Sequence, residues 1–115
     1  MAVAVLTQEL DYNPEAEYTC YLLMIDGIEV GFANLEVGEY EAYLQDVAIF
    51  PKYKGKGYFT TLMKELFVAM GSVDTIYCNH RNDESNPIFQ KWANRPLGYD
   101  EEVAIIWNGE NFEVK

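Results

Sequence analysis

Apolar and polar residues alternate closely in the first half of the chain and recur with a longer period in the second. Residues 2–7, AVAVLT, are small and β-branched enough for a first strand, and DYNPEAE, residues 11–17, reads as a loop of acids broken by Asn and Pro. Residues 18–26, YTCYLLMID, predict a second strand ending at Asp26-Gly27, a two-residue hairpin signal. Residues 28–37, IEVGFANLEV, supply its partner, and Gly38 with its acidic neighbours makes the next turn. Residues 40–50, YEAYLQDVAIF, predict a fourth strand, stopped by Pro51, which has no N–H to give a sheet ladder.

From Tyr58 the period changes. Apolar residues at 58, 59, 62, 63, 66, 67 and 70 form one helical stripe, with Thr60, Thr61, Lys64 and Glu65 on the other face and Gly71 as the stop. Residues 74–80, DTIYCNH, predict a strand. Residues 85–94, SNPIFQKWAN, predict a second helix with Ser85 or Asn86 as N-cap, Pro87 in its first turn and Pro96 as terminator. EEVAIIW, residues 101–107, closes as a strand, and Asn108-Gly109 turns into a short tail. The expected fold is a single α+β domain over residues 1–115: an antiparallel sheet first, then helices alternating with strands.

Composition narrows what such a domain does. Half of the 115 residues are apolar and 15% aromatic, which suits a packed core and not a disordered acidic chain. A net charge of −11 argues against nucleic acid as a partner and favours a cationic one. Cys20 and Cys78 stand apart in apolar runs without Cys-x-x-Cys spacing, so buried thiols are expected and no metal site. MAVAVLTQEL has no basic region, and Gln8 and Glu9 end its apolar run; it predicts neither signal peptide nor membrane span, and a cytoplasmic protein is expected.

Against that acidity, Lys52, Lys54 and Lys56 fall within five residues, on a glycine-punctuated turn between a strand and a helix. The order is that of an anion site: the first turn of a helix leaves N–H groups without partners, and its dipole favours negative charge there. Gly55 and Gly57 allow the backbone to approach a phosphate, and the lysines reverse the local sign of charge. The competing reading is a solvated loop that blunts a sheet edge. The stretch has neither a Walker-type loop nor a Gly-x-Gly-x-x-Gly dinucleotide fingerprint.

LQDVAIFPKYKGKGYFTTLM resembles the acetyl-CoA-binding signature of the GNAT N-acetyltransferases. Lys54 takes the Arg/Gln position of Arg/Gln-x-x-Gly-x-Gly/Ala, Gly57 the first glycine and Phe59 the final small residue. Leu97-Gly98-Tyr99 and Asn86 stand at nearly the family spacing farther on. The resemblance implies a GNAT-like mixed, largely antiparallel sheet with at least two helices. It implies acetyl-CoA as co-substrate, its pantetheine arm held by Val47, Ala48 and Ile49, its pyrophosphate by Lys54, Gly55, Lys56, Gly57, Tyr58 and Phe59, with Asn86 beside them. An acceptor amine would attack the thioester directly, in a ternary complex.

The chain departs from that pattern in three places. Phe59 is large where the family is small; Asn94 stands where the family often has a Tyr to protonate the leaving thiolate; and only residues 11–17 separate the first two strands, where the family usually inserts two helices over the acceptor site. An open acidic side suits a lysine or N-terminus of a protein better than a small metabolite. Glu41 and then His80 are the candidate bases, with Asp46 and Tyr43 as alternatives, while Glu36, Glu39 and Glu41 together would attract a cationic amine. A second class of function stays open: a catalytically silent GNAT-like protein acting as an acidic binder or inhibitor. A third is an unrelated α+β ligand-binding domain. The strand EEVAIIW either pairs in a homodimer or is covered internally.

Overall fold

The computed structural model describes residues 4–10, 18–79, 81, 83 and 85–115. Seven strands form one sheet in chain order: β1 (Ala4–Leu10), β2 (Tyr18–Ile25), β3 (Ile28–Val37), β4 (Glu41–Ile49), β5 (Thr75–Cys78), β6 (Val103–Trp107) and β7 (Phe112–Val114). Helix α1 (Tyr58–Ala69) joins β4 to β5, and α2 (Asn86–Ala93) lies between β5 and β6. Every neighbouring pair is antiparallel except β4 and β5, whose crossover through α1 makes them parallel.

The turn chemistry acts as its residues dictate. Asp26 and Gly27 both have positive φ, 52° and 82°, the backbone of a tight two-residue hairpin that continues the strand twist. Pro51 ends β4 and opens one 3₁₀ turn, Pro51–Tyr53. α1 buries Leu62, Met63, Leu66 and Phe67 against the sheet, and Gly71 follows its end with φ 45°. The crossover is tied down by Ser72, whose hydroxyl donates to the Glu39 carbonyl at 2.8 Å, and by the Asp74 amide donating to Tyr40.

Four expectations change. The first strand, expected to end at Thr7, runs on to Leu10, because β2 provides partners as far as Leu10 opposite Thr19; residues 2 and 3 lie outside the described residues. The tail folds back as β7: the Asn108 carboxamide oxygen accepts from the amides of Glu110 and Asn111 at 2.9 and 2.8 Å and closes a hairpin. At α2, Ser85 occupies the cap position with helical φ and makes no side-chain cap, and the helix stops at left-handed Asn94 before Pro96 is reached. Cys78 is buried as expected, but Cys20 is only half-buried; neither forms a disulfide.

One core lies between the helices and one face of the sheet. Tyr21, Leu23, Ala33, Leu35, Ala42, Leu44, Ile76, Val103 and Ile105 meet α1 and Phe89 of α2 there. Trp92 of α2 stacks on Phe112 of β7 at 4.3 Å and meets Phe89 edge-on at 5.5 Å. No helix among the described residues is long and apolar enough to cross a membrane.

Candidate functional site

The site begins with a defect in β4. Asn34 pairs with Asp46 and Leu35 with Leu44, so Gln45 is an extra residue that β3 does not match. Such a bulge bends the strand and increases its twist. On its other side β4 pairs with β5 only over Glu41–Tyr43, opposite Thr75–Tyr77. Past Tyr43 the two parallel strands part, and Val47–Ile49 form one wall of a wedge in the sheet.

A cavity of about 460 Å³ lies against that wall, with α2 and not β5 on its far side, within the range of small-ligand sites, roughly 300–1,000 Å³. Val47, Ala48, Ile49 and Phe50 supply the strand wall; Pro51, Tyr53, Lys54, Gly55 and Gly57 the turn; Tyr58, Phe59 and Thr60 the start of α1; Ser85 and Ile88 the α2 side. Gly55 and Gly57 have φ of 80° and 79°, a left-handed backbone open to glycine at little cost. Gly57 is the N-cap of α1, and the first helical bond runs from the Thr61 amide to the Gly57 carbonyl at 3.2 Å. The amides of Tyr58, Phe59 and Thr60 therefore precede the helical ladder, with no side-chain cap and no acidic residue in that turn. Three donors at the positive end of a dipole thus belong to residues that line the cavity with Lys54, an arrangement that suits an anion.

The resemblance named ten residues for the cofactor. Val47, Ala48, Ile49, Lys54, Gly55, Gly57, Tyr58 and Phe59 line the cavity; Lys56 is exposed outside it. Asn86 does not line it either. Its side chain is buried, its oxygen accepts from Arg81 Nε at 2.8 Å and its amide donates to the Leu97 carbonyl at 3.0 Å. Arg81 also donates to the carbonyls of Cys78 and Gly98, so this pair latches the Leu97–Tyr99 segment to the end of β5. The carboxamide is held by that latch and turned from the cavity. Phe59 finds its space in the core: its ring meets Phe89 edge-on at 5.7 Å and lies 6.3 Å from Trp92.

The acidic candidates stand elsewhere. Glu41 is exposed where β4 and β5 still pair, six residues from Val47, or about 20 Å along an extended strand. It accepts a hydrogen bond from the Tyr43 hydroxyl at 3.4 Å; Glu41 first, then desolvation, push the ionisation of Tyr43 above its ordinary 10.0. Asp46 is exposed on the opposite side of β4 from Val47 and does not line the cavity. Asn94 is the exposed C-cap of α2. His80 lies outside the described residues. Sequence reasoning missed Phe50, Pro51, Tyr53, Thr60, Ser85 and Ile88. The proline and its aromatic neighbours lie inside the stretch Leu44–Met63 that resembles the family signature, but nothing in the sequence says that α2 brings Ser85 and Ile88 to the same cavity.

The profile of the acetyltransferase (GNAT) family matches residues 3–99. Among curated proteins, none matches the sequence. Among solved structures the chain is similar to an acetyltransferase from Thermus thermophilus, at 16% identity and a TM-score of 0.59, over 90% of this chain and 66% of that one. It is also similar to a GNAT family acetyltransferase from Streptococcus pneumoniae, at 15% identity and 0.57, over 79% and 85%. A third is the PaiA N-acetyltransferase from Thermoplasma acidophilum in complex with coenzyme A, at 17% identity and 0.56, over 84% and 58%. The chain thus spans 66% and 58% of the length of the Thermus and Thermoplasma proteins.

Proposed function

Because the chain belongs to the acetyltransferase (GNAT) family, we propose that it transfers an acetyl group from acetyl-CoA to a cationic amine, a lysine or N-terminus of a protein, by direct attack in a ternary complex. The observation that carries this reading is the wedge cavity, walled by Val47–Ile49 and ending at the uncapped start of α1. Its parts fit the co-substrate in order. The apolar strand wall suits a pantetheine arm, and the left-handed glycines, Lys54 and the Tyr58–Thr60 amides suit a pyrophosphate. Acetyl-CoA supplies an activated carbonyl and a thiolate leaving group.

The chain's own residues do the rest. The β4 backbone beyond Tyr43 has left β5, so groups along Val47–Ile49 are available to orient the ligand and to donate to charge developing on a carbonyl oxygen. Glu41, about 20 Å along the strand, serves in this reading to attract the cationic acceptor. The amine's proton passes to His80 or to water. A protein acceptor follows from the net charge of −11 and from the seven residues that separate β1 from β2, too few for a helical wall.

A second reading, an acidic binding protein without turnover, is favoured by Asn94, exposed where the resemblance expects a tyrosine. Calorimetric titration with acetyl-CoA, beside transfer of labelled acetyl to a panel of basic proteins, separates the two. Binding with transfer is expected; binding without transfer supports the second reading, and no binding removes both the cavity assignment and the enzyme.

A further inference from the structure

Both helices pack on one face of the sheet, and no described element packs on the other. Ala42, Leu44, Ile76, Val103 and Ile105 belong to the core beneath the helices. Their neighbours along each strand, Tyr43, Tyr77, Ala104 and Ile106, therefore point to the opposite side, as do Leu22 and Phe32, paired across β2 and β3. Tyr43 is 42% exposed and the others are half-buried. The rings of Tyr43 and Tyr77 stack at 5.3 Å.

An antiparallel sheet with one wet face alternates apolar-in with polar-out, whereas strands covered on both faces read as continuous apolar runs. Residues 20–25 and 103–107, CYLLMI and VAIIW, are of the second kind, yet among the described residues only one of their faces is covered. Apolar and aromatic side chains stand on this face from β2 to β6, with Asn34 and Asp46 between the Leu22–Phe32 pair and Tyr43.

Charge indicates its occupant. The seven strands contain no Lys or Arg. On the uncovered face Glu36 stands opposite Tyr43 in register, Glu41 accepts its hydroxyl, and Glu102 is near enough to contribute to its raised ionisation. A second copy of the chain would set these carboxylates against their own kind, and nucleic acids and anionic membranes are repelled in the same way.

We infer that this face is a docking surface for a basic partner protein, which lays a segment mixing lysine or arginine with apolar side chains across the Tyr43–Tyr77 stack. Its cations meet Glu36, Glu41, Glu102 and the tyrosine ring faces; its apolar groups meet Leu22, Phe32 and Ile106. The inference rests on the sheet face alone and stands whether or not the wedge binds acetyl-CoA. If transfer occurs, the docked protein is the source of the amine.

The probe is a labelled peptide alternating lysine and valine, read by fluorescence anisotropy, with a lysine–serine peptide of equal length as control. The wild-type protein is expected to bind the first at least about tenfold more tightly than the second. The double variant Glu36→Lys/Glu102→Lys should weaken binding by about tenfold or more, whereas Glu65→Lys/Glu110→Lys, with the same net charge but changed elsewhere, should change it by less than about twofold. Circular dichroism checks the fold, and Tyr43→Ser replaces the first variant if that variant is unfolded. Equal binding of the two peptides, equal losses in the two double variants, or no binding by the wild type overturns the inference. So does sedimentation that shows a dimer dissolved by Glu36→Lys/Glu102→Lys, which would make a second copy the occupant.

Discussion

Gly57 is the position at which the anion reading is most exposed to refutation. It caps α1 with φ 79° and ψ 10°, and a Cβ built there meets nothing within 4 Å. Gly57→Ala and Gly57→Glu therefore share one cost, the left-handed backbone, about 1–2 kcal/mol. Both should lower Tm, alanine by roughly 5–10 °C for a domain of this size and glutamate by less, because its carboxylate suits the start of the helix. They differ in charge. The glutamate places a carboxylate beside the Tyr58, Phe59 and Thr60 amides, where a phosphate of acetyl-CoA is held in the proposed function. Two negative charges about 4 Å apart repel by on the order of 4 kcal/mol at the effective dielectric of a protein surface. Side-chain rotation and salt reduce this to about 2–3 kcal/mol, a loss of roughly 30- to 150-fold in affinity. Alanine keeps the amides and adds no charge, so its affinity should fall by less than about threefold. Calorimetric titration of the wild type and both variants, with thermal unfolding alongside, makes the comparison. If glutamate binds acetyl-CoA as tightly as wild type, or alanine loses as much as glutamate, the turn does not act as an anion site.

Two other perturbations test the frame around the cavity. Arg81→Met removes the donors to Asn86, Cys78 and Gly98 in a buried setting; urea unfolding should show a loss of about 3–5 kcal/mol, and a loss below about 1 kcal/mol would contradict the latch. Arg95, 2.7 Å from Glu101, with the Gly98 amide assisting, holds the Glu101 carboxyl below its ordinary 4.5. A depressed carboxylate stabilises the fold above its unfolded pKa and ceases to do so as pH falls through its folded pKa. Wild type and Glu101→Gln should therefore differ slightly in stability above pH 4.5 and converge below it. A difference that grew in acid would refute that origin.

The parts legible in the sequence are those where local chemistry and global structure agree. Asp26-Gly27, Pro51, the stripe from Tyr58 and the lysine–glycine turn each act within a few residues, so their meaning survives without knowledge of the fold. β7 was hidden because Phe112–Val114 is too short to show a period and is fixed by the Asn108 side chain and by Ile105 and Trp107 across the ladder. Asn86 shows the opposite difficulty. Its place in the chain matched the family spacing, but its carboxamide orientation depends on Arg81, a partner that no spacing rule selects. The cavity was legible on its β4 and α1 sides and not on its α2 side. There Ser85 and Ile88 arrive through tertiary packing.

The short parallel joint between β4 and β5 has a further consequence, for how the chain opens. Every other neighbouring pair is antiparallel, so β1 to β4 form one local meander, and β5, β6 and β7 form another. Within the sheet, three register pairs, Glu41 with Thr75 through Tyr43 with Tyr77, join the two. Partial unfolding should therefore divide the sheet along this line, into two units with separate protection against amide exchange. The wedge lies on the same line. A molecule seated between Ile49 and Ile88 would span both units, so its binding should slow exchange on both sides of the joint together and make two opening events one.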